Sequence, residues 1–66
     1  MIHVRFEGKS YDLDAEVLEL RVGYSDDDVK ERVARHLDVA RYRLDGYVVD
    51  RTANGNLIVR PEAVYG

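Results

Sequence analysis

The chain contains no cysteine and no tryptophan, and only one proline. Without cysteine it forms no disulfide, no thiolate metal site and no cysteine nucleophile. Small secreted domains usually depend on disulfides, and the alternating start Met1-Ile2-His3-Val4-Arg5 lacks the layout of a signal peptide. No apolar run approaches the roughly 18 residues of a membrane helix. We therefore expect a cytoplasmic protein without a membrane role.

Length and charge narrow the range of functions further. The 66 residues allow one small domain, residues 1–66, with 61–66 as a short C-terminal tail. Hydrophobic residues at 45% and charged residues at 35% favour a folded chain. The net charge of −3 opposes general nucleic-acid binding. Arginine, which suits interfaces, supplies most of the positive charge: Arg5, Arg21, Arg32, Arg35, Arg41, Arg43, Arg51 and Arg60.

The first 14 residues predict a β-hairpin. Apolar and polar residues alternate on both sides of Gly8, which is the pattern of half-buried strands. We place a type II′ turn at Gly8-Lys9, because glycine there allows a positive φ. Residues 15–24 fit either a strand or a short helical turn followed by a loop through Gly23, and we prefer the helical turn.

A helix is predicted over residues 26–38. Ser25 is the expected N-cap, and the acids Asp26-Asp27-Asp28 stand where the helix dipole favours negative charge. An apolar stripe follows at helical spacing: Val29, Val33, Leu37 and Ala40. Two pairs at i,i+4 spacing are expected to stabilise the helix, Asp28–Arg32 and Glu31–Arg35.

The last third of the chain predicts a second hairpin, with strands at 47–51 and 56–60 and Pro61 as the stop. Its turn can be built in two ways, and they place opposite faces of the two strands against the core. A two-residue Asn54-Gly55 turn would pair Val48 and Asp50 with the apolar residues of the last strand. A type I turn with Gly55 as a G1 bulge pairs Val49 with Val59 and gathers the apolar residues on one face. The second solution is favoured.

Together these elements predict an α+β fold of order ββαββ, a single helix on one face of a four-stranded mixed sheet. The first and last strands should lie parallel at its centre. The expected core consists of Ile2, Val4, Phe6, Tyr11, Leu13, Val29, Val33, Leu37, Val49, Leu57 and Val59.

This layout resembles the β-grasp fold of the ubiquitin-like family, in which a hairpin, a helix and a final strand beside the first are followed by a tail ending in glycine. The resemblance implies a protein-binding or carrier role, although modifiers of that family end in diglycine and this chain ends Tyr65-Gly66. The segments Phe6–Ser10, Tyr47–Arg51 and Arg60–Gly66 also resemble a group of short uncharacterised bacterial proteins, which implies no activity.

No pattern in the sequence indicates catalysis, a metal or a cofactor. The three aspartates lack the alternate spacing of a calcium loop. His3 and His36 have no further ligands at zinc-site spacing. The glycines stand singly at turns and form no phosphate loop. Arg41-Tyr42-Arg43 interleaves cations with an aromatic, but nearby aspartates balance its charge. We expect a protein that is not an enzyme.

The favoured turn leaves two aliphatic side chains, Val48 and Ile58, on the solvent face of the sheet. Arg60, His3 and Arg5 should border them. An apolar centre ringed by cations is the composition of a modest docking site. We therefore expect an adaptor module, monomeric or weakly dimeric, that binds a protein rather than nucleic acid. The alternative is a ubiquitin-like carrier activated at the Gly66 carboxylate.

Overall fold

A computed structural model describes residues 1–20 and 23–62, and it has the predicted α+β layout of one helix on a four-stranded mixed sheet. The strands run in the order β2-β1-β4-β3. Their bounds are Ile2–Phe6 for β1, Lys9–Leu13 for β2, Tyr47–Arg51 for β3 and Leu57–Pro61 for β4. Helix α1 spans Asp26–Leu37, and a 3₁₀ helix spans Arg41–Leu44.

The first hairpin forms as predicted, but its turn was placed one residue too late. Phe6 pairs with Lys9, so the two turn residues are Glu7 and Gly8 rather than Gly8 and Lys9. Both have positive φ, 51° and 79°, which is the signature of a type I′ turn rather than type II′. Both turn types match the twist of the strands. In the observed turn Gly8 takes its left-handed conformation without steric cost, whereas Glu7 bears the cost of the other left-handed position.

Residues 14–20 form a series of tight turns rather than a strand. The amides of Val17 and Leu18 both donate to the Asp14 carbonyl, at 3.0 and 3.3 Å. These turns carry Leu18 into the core, where it is 2% exposed, and leave Val17 outside at 53%. The preferred helical turn is therefore close to the observed conformation, while residues 21 and 22 of the same segment lie outside the described residues.

Helix α1 begins where its capping residues predict. The Ser25 hydroxyl accepts the Asp28 amide at 3.1 Å, and the Asp28 carboxylate accepts the Ser25 amide at 3.0 Å. This reciprocal capping box satisfies two amides that have no partner within the helix. At the other end the helix stops one residue earlier than predicted, because Asp38 adopts a left-handed conformation with φ of 58° and becomes the C-cap.

The second hairpin confirms the favoured turn. Gly55, with φ of 83°, donates its amide to the Thr52 carbonyl at 3.0 Å. The Thr52 amide donates to Asn56 at 2.9 Å, and Val49 pairs with Val59. A type I turn closed by a G1 bulge at glycine has this pattern. It fixes which residues of β3 and β4 face the helix.

The first and the last strand of the described chain lie side by side at the centre of the sheet. Strand β4 lies parallel to β1, with Ile2 beside Leu57 and Val4 beside Val59. The Leu57 amide also donates to the Met1 carbonyl at 3.1 Å. The predicted central parallel pair is confirmed.

The core lies between the sheet and α1. Most predicted core residues are buried in it, namely Ile2, Val4, Phe6, Val29, Val33, Leu57 and Val59. Tyr11, Leu13, Leu37 and Val49 are only half-buried and pack against its margin. Three buried residues were not predicted, Leu18, Ala34 and Leu44. Leu44 is completely buried although it stands alone in a polar segment, so no periodic pattern indicated it.

Candidate functional site

The sheet surface opposite α1 brings all five predicted partner-binding residues together. Side chains alternate along a strand, so the residues between the core positions of each strand share this surface, which we call the open face. It consists of His3 and Arg5 from β1, Ser10 and Asp12 from β2, Val48 and Asp50 from β3, and Ile58 and Arg60 from β4.

The apolar centre of the open face is less exposed than the sequence pattern indicates. Val48 and Ile58 are both half-buried rather than fully in solvent. Ile58 lies between His3 and Asp50, and Val48 lies beside Arg60. Because neighbouring strands are close together, these longer side chains shield the aliphatic groups. The centre is a narrow apolar strip between polar side chains rather than a broad patch.

Two pairs of polar side chains lie on the open face together with this strip. The His3 ring nitrogen Nδ1 lies 2.6 Å from the Asp12 carboxylate on the neighbouring strand. Arg60 lies opposite Val48, and Asp50 lies opposite Ile58. Arg60 donates from Nε to Asp50 at 2.8 Å, with its Nη2 at 2.7 Å from the same oxygen, so this pair crosses between the two aliphatic side chains. Both pairs are partly exposed to solvent, so each contributes little to stability. Asp50 offsets the charge of Arg60 locally.

Arg5 differs from the other described arginines. Six of them lie within 4 Å of a carboxylate: Arg32, Arg35, Arg41, Arg43, Arg51 and Arg60. Within residues 1–20 and 23–62, Arg5 has no such partner. It lies on one wall of an open groove of about 400 Å³ at the end of the open face, together with Glu7, Gly8, Arg60, Pro61 and Glu62.

The three aspartates at the start of α1 are occupied by structural contacts. Asp26 binds Arg51 of β3 at 2.9 Å, and Asp27 binds Arg41 of the 3₁₀ helix at 3.3 Å. The hydrogen bond from the Ser25 amide, followed by that with its hydroxyl and by the charge of Arg32, lowers the pKa of Asp28. The hydrogen bond with Asp26 in turn raises the pKa of Arg51. The aspartate cluster thus joins α1 to two other elements.

Of the two predicted pairs along α1, only one forms. Arg35 donates to Glu31 at 2.9 Å, as expected. Arg32 reaches instead to Glu19, in the turns before the helix, at 3.2 Å. The prediction considered only i,i+4 spacing within the helix, so it did not include a partner from another element. The contact ties residues 14–20 to the outer face of α1.

The 3₁₀ helix presents its aromatic residue but not its cations. Tyr42 is 70% exposed. Arg41 is held by Asp45 at 3.0 Å as well as by Asp27, and Arg43 pairs with Glu7 while its guanidinium lies 5.5 Å from the centre of the Phe6 ring. The expected neutralisation of this segment is present, although through partly different acids.

Within the part of the chain that the structure describes, no group of three or more His, Asp or Glu side chains is arranged to hold a metal ion. Over the same residues, no helix has the length and apolar character needed to cross a membrane. Gly66, the residue of the alternative carrier hypothesis, and the tail residues 63–65 lie outside the described residues.

No known protein family, no curated protein and no solved structure matches this chain. The geometry of the open face is therefore the basis for any functional argument.

Proposed function

We propose that the protein is a small binding module that docks a protein partner on its open face. One observation carries the proposal: α1, the 3₁₀ helix and residues 14–20 all pack on the other side of the sheet, where they bury Leu18, Val33 and Leu44. No element of residues 1–20 and 23–62 covers the strip of Val48 and Ile58. The strand order, with one helix on a sheet whose first and last strands are parallel, supports a β-grasp domain of the ubiquitin-like kind.

The balance of charges favours a protein partner over a nucleic acid. Asp50 compensates Arg60 on the open face itself, and Asp12 adds a second negative charge there. A phosphate backbone requires a surplus of positive charge along its path. An apolar strip with a rim of charged and hydrogen-bonding groups has the composition of a modest protein interface. The function is thus recognition, with no chemical step assigned to the chain.

The test is capture of partners by variants of the open face. The double change Val48→Asp and Ile58→Asp places two charges in the strip and should abolish capture of every specific partner from a lysate of the native cell. The matched control, Val17→Asp with Tyr42→Asp, places the same charges on the helix side, where the two residues are 53% and 70% exposed. It should retain capture. Mass spectrometry compares the captured proteins.

Folding of each variant has to be established independently, because β-strand preferences alone span about 1 kcal/mol. Circular dichroism and thermal melting serve for this. Val48→Thr with Ile58→Thr provides a milder second pair, since threonine is also β-branched and removes apolar area without adding charge. Equal capture by the open-face variants and the control, with both folded, would show that the partner binds elsewhere.

A further inference from the structure

The two arginines of the open face lie side by side. Val4 pairs with Val59 across the parallel strands, and Arg5 and Arg60 are the next residues on each. Adjacent strands are separated by about 5 Å, so the two arginine side chains leave the sheet from neighbouring positions on the same face. A negative charge placed between these positions would attract both guanidinium groups.

Within residues 1–20 and 23–62, an acid lies close to only one of the two arginines. Asp50 holds Arg60 at 2.7 Å. Glu7, the nearest acid along the chain to Arg5, is held by Arg43. Glu62 lines the same groove, but within the described residues it lies beyond 4 Å of both guanidinium groups. In the part of the chain that the structure describes, one positive charge, that of Arg5, therefore has no acid within 4 Å.

We propose that this groove binds a single carboxylate of the partner, an aspartate or glutamate side chain next to apolar residues. The inference rests on the proposed function and specifies the chemistry of the partner. Apolar residues of the partner lie along Val48 and Ile58, and its acidic side chain lies between Arg5 and Arg60. The planar guanidinium of Arg5 matches a carboxylate through two parallel hydrogen bonds. Glu62 on the groove wall disfavours a dianionic phosphate, so a group with one charge fits best.

The experiment is an NMR titration of the ¹⁵N-labelled protein with two capped peptides. One has the sequence Thr-Val-Glu-Val-Thr, and the matched peptide has glutamine in place of glutamate. The glutamate peptide should shift the resonances of Arg5, Val48, Ile58 and Arg60, and its affinity should exceed that of the glutamine peptide by about tenfold, the ratio expected from one charged hydrogen-bonded contact. Added salt should reduce the difference.

Three variants of the groove and one control outside it are expected to change the affinity for the glutamate peptide in different directions. Arg5→Gln should lose about tenfold in affinity for the glutamate peptide, and Arg5→Lys should fall between that variant and the native protein, since lysine keeps the charge without the fork. Glu62→Gln should bind the glutamate peptide more tightly. Arg35→Gln, a change of an exposed arginine on α1, should leave binding unaltered. The spectra themselves report whether each variant is folded.

Several results would overturn the carboxylate site. These are equal binding of the two peptides, equal effects of Arg5→Gln and Arg35→Gln, no shift at Arg5 with either peptide, or displacement by inorganic phosphate more readily than by acetate. Suppose that both peptides bind equally and that the double change Val48→Thr with Ile58→Thr weakens this binding. The docking face would then stand, and only the carboxylate site would be rejected. Suppose instead that the Arg5 resonance shifts only with the glutamate peptide and that the open-face variants still capture partners. The carboxylate site would then stand, and the proposed docking function would be rejected.

Discussion

The contacts of Asp28 make its contribution to the stability of the fold dependent on pH. The Ser25 amide, the Ser25 hydroxyl and Arg32 all favour its charged form and hold its pKa below the ordinary 3.8. A carboxyl whose pKa is lowered by folding stabilises the fold above its ordinary pKa, and that contribution is lost as the pH falls through the lowered value. Asp28→Asn should therefore be less stable than the native protein at pH 7, with the difference shrinking on acidification below 3.8. Urea unfolding over this range measures it, and a difference independent of pH would contradict the assignment.

Leu44 and Tyr42 are two residues of one 3₁₀ helix with opposite environments. Leu44 is fully buried, whereas Tyr42 is 70% exposed. Leu44→Ala removes three buried carbon atoms and leaves a cavity, so it should lower the free energy of unfolding by about 2–5 kcal/mol. Tyr42→Ala should change it by less than about 0.5 kcal/mol. Denaturant titration of both variants gives the comparison. Similar values for the two would mean that Leu44 does not contribute to the core.

At the scale of elements, the second hairpin depends on the left-handed glycine of its bulge. Gly55 has φ of 83°, whereas Gly46 has no positive φ, and a Cβ at either position would meet no atom within 4 Å. Alanine is disfavoured in the left-handed region by about 1–2 kcal/mol. Gly55→Ala should cost about that amount, and Gly46→Ala should be close to neutral or stabilising. Since neither change creates a clash, a difference in the free energy of unfolding between the two variants measures the cost of the left-handed backbone conformation alone. Equal stabilities would rule out the G1 bulge.

The same hairpin illustrates which features the sequence predicted and why. Its register followed from two local facts, the alternation around Val49 and Val59 and the glycine at position 55, and the open face followed from the register. The turn at Glu7-Gly8 was missed because a left-handed glutamate is uncommon, so the sequence pointed one residue further on. Leu44 and the contact of Arg51 with Asp26, 25 residues away, were missed for another reason. They depend on how elements pack, which local patterns do not encode.

At the scale of the whole molecule, the two faces of the sheet differ in the contacts that their charged side chains make. On the helix side, Arg32, Arg41 and Arg51 each join two elements through a carboxylate. On the open face, the pairs His3–Asp12 and Arg60–Asp50 join only neighbouring strands of the sheet. Substitutions on the open face therefore disturb few contacts between elements. This separation makes recognition and stability accessible to independent mutation, and the docking experiments above rely on it.

The central pairing of β1 with β4 also determines when the protein acquires its structure during synthesis. Strand β1 is made before β4, so it lacks its second neighbour until Leu57–Val59 have been synthesised. Until then the nascent chain has a single hairpin and, later, an amphipathic helix, neither of which is stable alone. Translation adds about 5–20 residues per second, so one hydrogen-bonding edge of β1 stays unpaired for several seconds. The four-stranded sheet is therefore completed only after residues 57–61 have been made.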